Sequence, residues 1–372
     1  MCQEVLDAFN AAAQDSVPID HLQAAASRHI AKTTGAEAGL VTAGSAAALT
    51  LGAAAILAKF DLGRMEQLPQ TRGFPNRFIV SRDHRNGYDH AVRAAGVEFI
   101  EVGLNEIVSN AGVRRTEAWE LETVIDDSVA GVFYVLSNSS QPPLADVVEC
   151  AHRHNLPVLV DAAGELPPRE NLKKFVEQGA DLVAFSGGKA IRGPQSTGIL
   201  CGRKELISSA TLQMLDMDEH FDLWEPPADW IDKSQLNGIP RHGIGRALKV
   251  SKEEIIALLT ALDLFASGHF DDQVATMQQR LEQVVTGIRD LPVEATISES
   301  PDGQRFPLLA IKLTDACHID ATEACRQLRS GSPPVYPSHG RLHEGILMFN
   351  ALSIKAEQIP ALIDRLNGTL AT

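Results

Sequence analysis

Basic charge is scarce in this chain. Its 372 residues carry 33 lysines and arginines against 48 acids, a net charge of −15, and no basic run interrupts that balance. A protein that grips nucleic acid presents Lys and Arg to many phosphates, so this composition excludes nucleic acid as a partner. The cysteines offer no scaffold. Cys2, Cys150, Cys201, Cys317 and Cys325 form no CxxC pair, and their odd number and scatter suit reduced thiols. The first residues lack a basic flank followed by an apolar core, so no secretory signal is read. The apolar stretch Ala46–Ala58 is too short to span a bilayer and reads as a core helix. There is no internal repeat and no low-complexity segment. A cytoplasmic protein without a membrane partner is the expectation.

What is present is a large apolar content, 44%, enough for a sizeable core and two domains. Apolar runs of strand length recur at Phe78–Val80, Phe99–Val102, Val132–Leu136, Val158–Val160, Leu182–Phe185 and Ile199–Cys201. Amphipathic segments such as Tyr88–Ala95, Trp119–Ile125 and Leu144–His154 lie between several of them. That alternation predicts an α/β fold with a mainly parallel sheet covered by helices. Residues 1–237 are expected to form this large domain. A smaller α+β domain is expected over 238–372, with helices at Lys252–Phe265, Asp272–Arg289 and Glu357–Leu366 and a strand at Leu308–Leu313. The Pro- and Gly-containing loop Pro226–Gly243 is the expected hinge.

The chemistry concentrates at strand ends. Ser186-Gly187-Gly188-Lys189 follows the apolar run Leu182–Phe185, which places a single amine just past a buried strand. Burial would lower the pKa of such a lysine and make it a nucleophile able to form a Schiff base with an aldehyde. The aldehyde most often held so is pyridoxal phosphate, whose sites pair the lysine with a carboxylate at the ring nitrogen. Asp161 is the candidate. It closes the run Pro157–Val160, at the carboxyl end of a strand where α/β sheets bind ligands. An ordinary helix cap for a helix near Glu165 is the competing role for Asp161. Gly44-Ser45-Ala46 opens the apolar helix and offers free N–H groups to a phosphate. Ser186 supplies a further hydroxyl, Ala163 a small surface under a ring, and His84 an imidazole able to lie over it.

These motifs carry a resemblance. Thr34-Gly35-Ala36-Glu37-Ala38 leading to Gly44-Ser45, Met65–Pro69, Arg82–Tyr88, Val160–Pro168 and Phe185–Gln195 run through most of the chain, and the last two are highly specific. Gly245-Arg246 and Lys249–Glu254 continue it. The chain resembles the pyridoxal-phosphate-dependent family of bacterial selenocysteine synthase (L-seryl-tRNA selenium transferase), nearest to its short D-glucosaminate-6-phosphate ammonia-lyase-like members. The resemblance implies a fold type I, aspartate aminotransferase-like large domain and pyridoxal 5'-phosphate as cofactor. It implies Lys189 as the Schiff-base lysine, Asp161 as the pyridinium partner and His84 as the stacking residue. It also implies at least a homodimer, with Arg192–Thr197 as the candidate boundary loop.

Two departures bear on the substrate. The chain begins without the Asn/Gly/Thr-containing stretch that relatives carry before their first long helix, and Met348–Leu352 stands where relatives tend to keep an arginine. The acidic charge and the lack of a tRNA-binding domain argue against the transferase role. The expected reaction is β-elimination of water from a small hydroxy amino acid, phosphorylated or not, releasing a 2-oxo acid and ammonia. Racemisation, aldol cleavage and a non-catalytic regulator are the alternatives. No metal is expected. His339 and His343 have i, i+4 spacing, but Pro337 and Gly340 break any helix and no third ligand accompanies them. His152 and His154 fall on different helix faces, and Gly243-Ile244-Gly245 reads as a turn.

Overall fold

The computed structural model describes residues 1–104, 115–137, 140–298 and 306–371. The chain divides into two units, Met1–Ser267 and Gly268–Thr372.

The first unit is built on a seven-stranded sheet. Its strands are β1 (Ala38–Thr42), β2 (Arg77–Ser81), β3 (Glu98–Val102), β4 (Val129–Val135), β5 (Val158–Asp161), β6 (Leu182–Ser186) and β7 (Gly198–Gly202). They lie in the order β1-β7-β6-β5-β4-β2-β3. Strands β2 to β6 pair in parallel, while β7 runs antiparallel to both β6 and β1. Each apolar run of the sequence lies in a strand, most of them extended by a residue or more, while β4 begins three residues before the run Val132–Leu136 and ends one short of it. β1 and β5 to β7 are buried almost throughout, as strands covered on both faces must be.

The helices of this unit are α1 (Gln3–Gln14), α2 (Ile19–Thr34), α3 (Ser45–Ala58), α4 (Leu62–Gln67) and α5 (Asp89–Arg93). Then come α6 (Ala118–Glu122), α7 (Leu144–Arg153), α8 (Asn171–Glu177), α9 (Lys204–Met214) and α10 (Lys252–Ala266). Every residue of α3 from Ala47 to Ala58 is buried, which is why that helix is apolar on all sides. It lies so close to the sheet that a Cβ on Gly52 would come 2.8 Å from a methyl of Leu159. Strand β1 forms one edge of the sheet, and α2 closes it. The Gln23 amide donates to the Val41 carbonyl at 2.9 Å and accepts the Val41 N–H at 3.2 Å, which occupies backbone groups that an open edge would expose.

The division between units falls after the boundary expected at 237/238. Helix α10 packs against α1 and α2, and the Lys252 ammonium donates to the carbonyls of Ala12 and Ala13 at the end of α1. Those contacts tie residues 238–267 to the first unit. The loop expected as a hinge lies inside that unit too, with Trp230 and Ile231 buried.

The second unit holds an antiparallel sheet of β8 (Val293–Ser298), β9 (Leu308–Leu313) and β10 (Ile346–Asn350), in the order β10-β9-β8. Helices α11 (Gln273–Gly287), α12 (Ala321–Ser330) and α13 (Ile359–Leu370) share its core with Leu309, Ile311 and Leu347. Strand β9 has the bounds read from the sequence. β8 and β10 lie outside the strands that the sequence predicts, although β8 alternates half-buried and exposed residues with the period of two that marks a strand. His339 contacts the Arg329 guanidinium at 3.2 Å, on the loop that follows α12.

Candidate functional site

The expected site residues gather at one end of the first unit's sheet. Strands β5 and β6 end at Asp161 and Ser186, β2 ends at Ser81 just before the single 3-10 turn Arg82–His84, and β1 ends at Thr42. Since β1 and β6 both oppose β7, these four ends point the same way. This is the carboxyl edge where open α/β sheets hold ligands. The register sets the order along it. Asp161 lies opposite Val135 and Ala184, Ser186 opposite Gly198, and Gly198 opposite Thr42.

Asp161 is buried, with 8% of its surface exposed. Its Oδ1 accepts the Ala163 N–H at 3.0 Å, an Asx turn that fixes the carboxyl at the strand end. It caps no helix. The chain passes Pro167 and Pro168 before α8 begins at Asn171, well beyond the helix start expected near Glu165. Burial pushes the Asp161 carboxyl above the usual range, against the Ala163 hydrogen bond and the positive charge of Lys189, which both pull it down. The two side chains are therefore electrostatic neighbours.

Lys189 itself is exposed, contrary to the burial expected from its apolar flanks. The reason lies in the two glycines before it. Gly187 and Gly188 carry the chain off the end of β6, and a Cβ at Gly188 would sit 2.7 Å from the Gln195 backbone. The lysine thus stands beyond the sheet rather than within it.

His84 is buried, 5% exposed, and its Nδ1 accepts the Val135 N–H at 3.4 Å. Tyr134 meets its ring edge-on, with centroids 4.5 Å apart and planes at 81°. Burial pushes His84 down to about 4, so it is neutral at pH 7, and its Nε2 is buried without a hydrogen-bond partner. The Tyr134 hydroxyl donates to the Pro142 carbonyl at 2.7 Å, which anchors that contact.

Gly44 precedes α3 at φ 89°, and no side chain caps the helix. The first N–H groups of α3, at Ser45 and Ala46, are therefore directed outward with the positive end of its dipole. Gly198 lies directly against them: a Cβ there would be 2.3 Å from the Gly44 carbonyl carbon and 2.5 Å from the Ser45 nitrogen. Sequence reasoning did not single out Gly198 or Tyr134. A glycine at the first position of an apolar strand was the available signal of close backbone approach.

A buried carboxyl raised by desolvation and a buried imidazole nitrogen without a partner both leave polar groups for a ligand to satisfy. The uncapped start of α3, a helix of 14 residues, adds a place for an anion. A family model, "Aminotransferase class-V", matches residues 106–358. The chain belongs to the aminotransferase class-V family. Its fold is the fold type I architecture of pyridoxal-phosphate enzymes, and its cofactor is pyridoxal phosphate. Both agree with the resemblance read from the sequence.

Similar proteins include D-glucosaminate-6-phosphate ammonia lyase of Salmonella typhimurium, 26% identical over 98% of this chain and 89% of its own length. A 5'-C-glycyluridine monooxygenase-decarboxylase from Streptomyces is 26% identical over 98% of this chain and 85% of its length. An L-seryl-tRNA(Sec) selenium transferase from Geotalea uraniireducens is 25% identical over 92% and 71%. The solved structure of a D-glucosaminate-6-phosphate ammonia-lyase superposes with a TM-score of 0.78 at 25% identity, covering 99% of this chain and 91% of that one.

One group with metal-ligand side chains converges among the described residues: Asp216, Asp218 and His242, all exposed. Asp216 pairs with Arg246 at 2.6 Å and Asp218 with His242 at 3.3 Å, so surface ion pairs account for it. No helix among the described residues is long and apolar enough to cross a membrane.

Proposed function

We propose that this protein is a pyridoxal-phosphate-dependent lyase acting on a small hydroxy amino acid, phosphorylated or not. Bound pyridoxal phosphate supplies an electron sink for the carbanion left by loss of the α-proton. The rest falls to the chain. Lys189 Nζ removes the α-proton as general base. Asp161 keeps a proton on the ring nitrogen. Its buried, raised carboxyl supports this role, because desolvation leaves it in want of a positive partner. His84, held by Tyr134 and Val135, covers a ring face and keeps water from it. Ser45, Ala46 and Gly44 at the start of α3, with Ser186 at the end of β6, take the phosphate. Ala163, half-buried two residues after Asp161, leaves room beneath the ring.

The substrate's β-hydroxyl leaves as water, and hydrolysis of the resulting enamine returns one water, so one hydroxy amino acid yields one 2-oxo acid and one ammonium ion. The observation that carries the reading is the convergence of Asp161, His84 and the uncapped start of α3 at the carboxyl edge of the sheet, with Lys189 just past the end of β6. The likeness to an ammonia lyase over nearly the whole chain supports elimination as its outcome. The test is a screen of hydroxy amino acids and their phosphate esters for joint release of ammonia and 2-oxo acid, with borohydride reduction to mark the lysine. A pyridoxyl group on Lys189 and equimolar release of both products are expected. A reduced adduct on Lys173, Lys204 or Lys249 overturns the site, and an inverted or cleaved amino acid without ammonia overturns the elimination.

We further propose a cytoplasmic homodimer. Five free cysteines scattered among the described residues suit a reducing compartment. The loop 192–197, exposed at Gln195 and Ser196, offers a subunit boundary near the lysine.

A further inference from the structure

The loop that follows Lys189 folds back on the turn that precedes it. Gly187 donates its N–H to the Thr197 carbonyl and Gly193 donates to the Gly187 carbonyl, both at 2.9 Å. Thr197 is fully buried and closes the return by donating its hydroxyl to the Pro194 carbonyl at 2.7 Å. The same loop borders the phosphate-binding helix start, since a Cβ on Gly44 would lie 3.9 Å from the Ser196 carbonyl. Whatever fixes Ser196 therefore fixes the lysine turn and the start of α3 together.

What holds Ser196 from outside is Glu254. Its two carboxylate oxygens are divided between two tasks. Oε2 accepts from the Ser251 hydroxyl at 3.2 Å and the Ser251 N–H at 3.3 Å, completing the capping box of α10. Oε1 accepts from the Ser196 hydroxyl at 2.5 Å. A capping box needs only one of those oxygens, so the second bond is not explained by helix capping. Helix α10 is in turn fixed to α1 through Lys252. The anchor on the lysine loop is thus a rigid element, not another loop.

We propose that Glu254 is a positioning residue for the cofactor site, acting through Ser196 to hold the Gly187–Lys189 turn against the α3 start. The proposal rests on the assignment of Lys189 and the α3 start to the cofactor. Removing the bond lets the loop tip move, and the binding energy lost is that of ordering it again when cofactor enters.

The experiment uses the full chain, freed of cofactor and titrated with pyridoxal phosphate, following intrinsic fluorescence and the visible band of the bound cofactor against pH. Ser196→Ala and Glu254→Ala are expected to weaken binding by roughly three- to tenfold, the size of one hydrogen bond to a charged group at a partly exposed site. Both should shift the pH at which the visible band changes. Glu254→Gln keeps an oxygen acceptor and is expected to stay within about twofold of the unaltered chain. Ser251→Ala removes the hydroxyl bond to Glu254 Oε2 but keeps the Ser251 N–H on that oxygen and Ser196 on Oε1, so it is expected to lower the melting temperature and leave cofactor affinity within about twofold. Unchanged affinity and band in Ser196→Ala and Glu254→Ala overturn the proposal, as does a loss in Ser251→Ala equal to that in Glu254→Ala. Borohydride trapping on the unaltered chain separates the two readings. If Lys189 carries no pyridoxyl group, the site assignment itself fails; if it does and the variants bind normally, only the clamp fails.

Discussion

His84 gives the site a pH dependence that is measurable without any substrate. An imidazole in water titrates near 6.5, and burial here lowers it to about 4. Between those values the unfolded chain holds a proton that the folded chain refuses. Stability conferred by the neutral ring is therefore complete above about pH 6.5 and is lost as the pH falls toward 4. Proton linkage with these two values gives a loss of about 2 kcal/mol at about pH 5, rising to about 3 kcal/mol when both forms are protonated. The perturbation is His84→Asn, which keeps an acceptor for the Val135 N–H and removes the titrating ring. Urea unfolding of the cofactor-free protein at a series of pH values from 7 to 5 is the assay. The unaltered chain should lose stability relative to the variant by about 2 kcal/mol across that range, since acid titration of every other group is common to both. Parallel stability curves would refute the reasoning, for they would mean that His84 accepts its proton in the folded state at no cost.

Three further outcomes are expected. Asp161→Asn should keep cofactor bound while slowing α-proton exchange in deuterated water by at least about a hundredfold, because the lost charge matters only once the carbanion forms; exchange at the unaltered rate would rule out a carboxylate at the ring nitrogen. Gly198→Ala drives a methyl to 2.3 Å from the Gly44 carbonyl carbon, against backbone that cannot rotate aside, and should destabilise the fold by about 1–3 kcal/mol and weaken cofactor binding. A melting point and a cofactor titration both equal to those of the unaltered chain would remove the close approach from the account. Light scattering at assay concentration should report at least a dimer, and an active monomer would exclude the boundary role of the 192–197 loop.

Much of this protein is legible in its sequence because the decisive signals are local. An apolar run of strand length followed by Gly-Gly-Lys, or a Gly-Ser opening a helix apolar on every side, needs no distant partner to be read. Thus β5, β6 and α3, and with them Asp161 and Gly44, stand in the elements that the sequence reading gives them. The order of strands, the reversal of β7 and the closeness of Gly198 to Gly44 depend on pairings between residues far apart in the chain, which no local period encodes. The same holds for Lys189, whose flanks are buried while its own position lies past the sheet's end. It holds too for residues 238–267, drawn into the first unit by the packing of α10 on α1 and α2. Local chemistry chose the residue types and their elements; only the tertiary register decided which of them meet at one edge, because contact there is set by backbone geometry summed over the whole sheet.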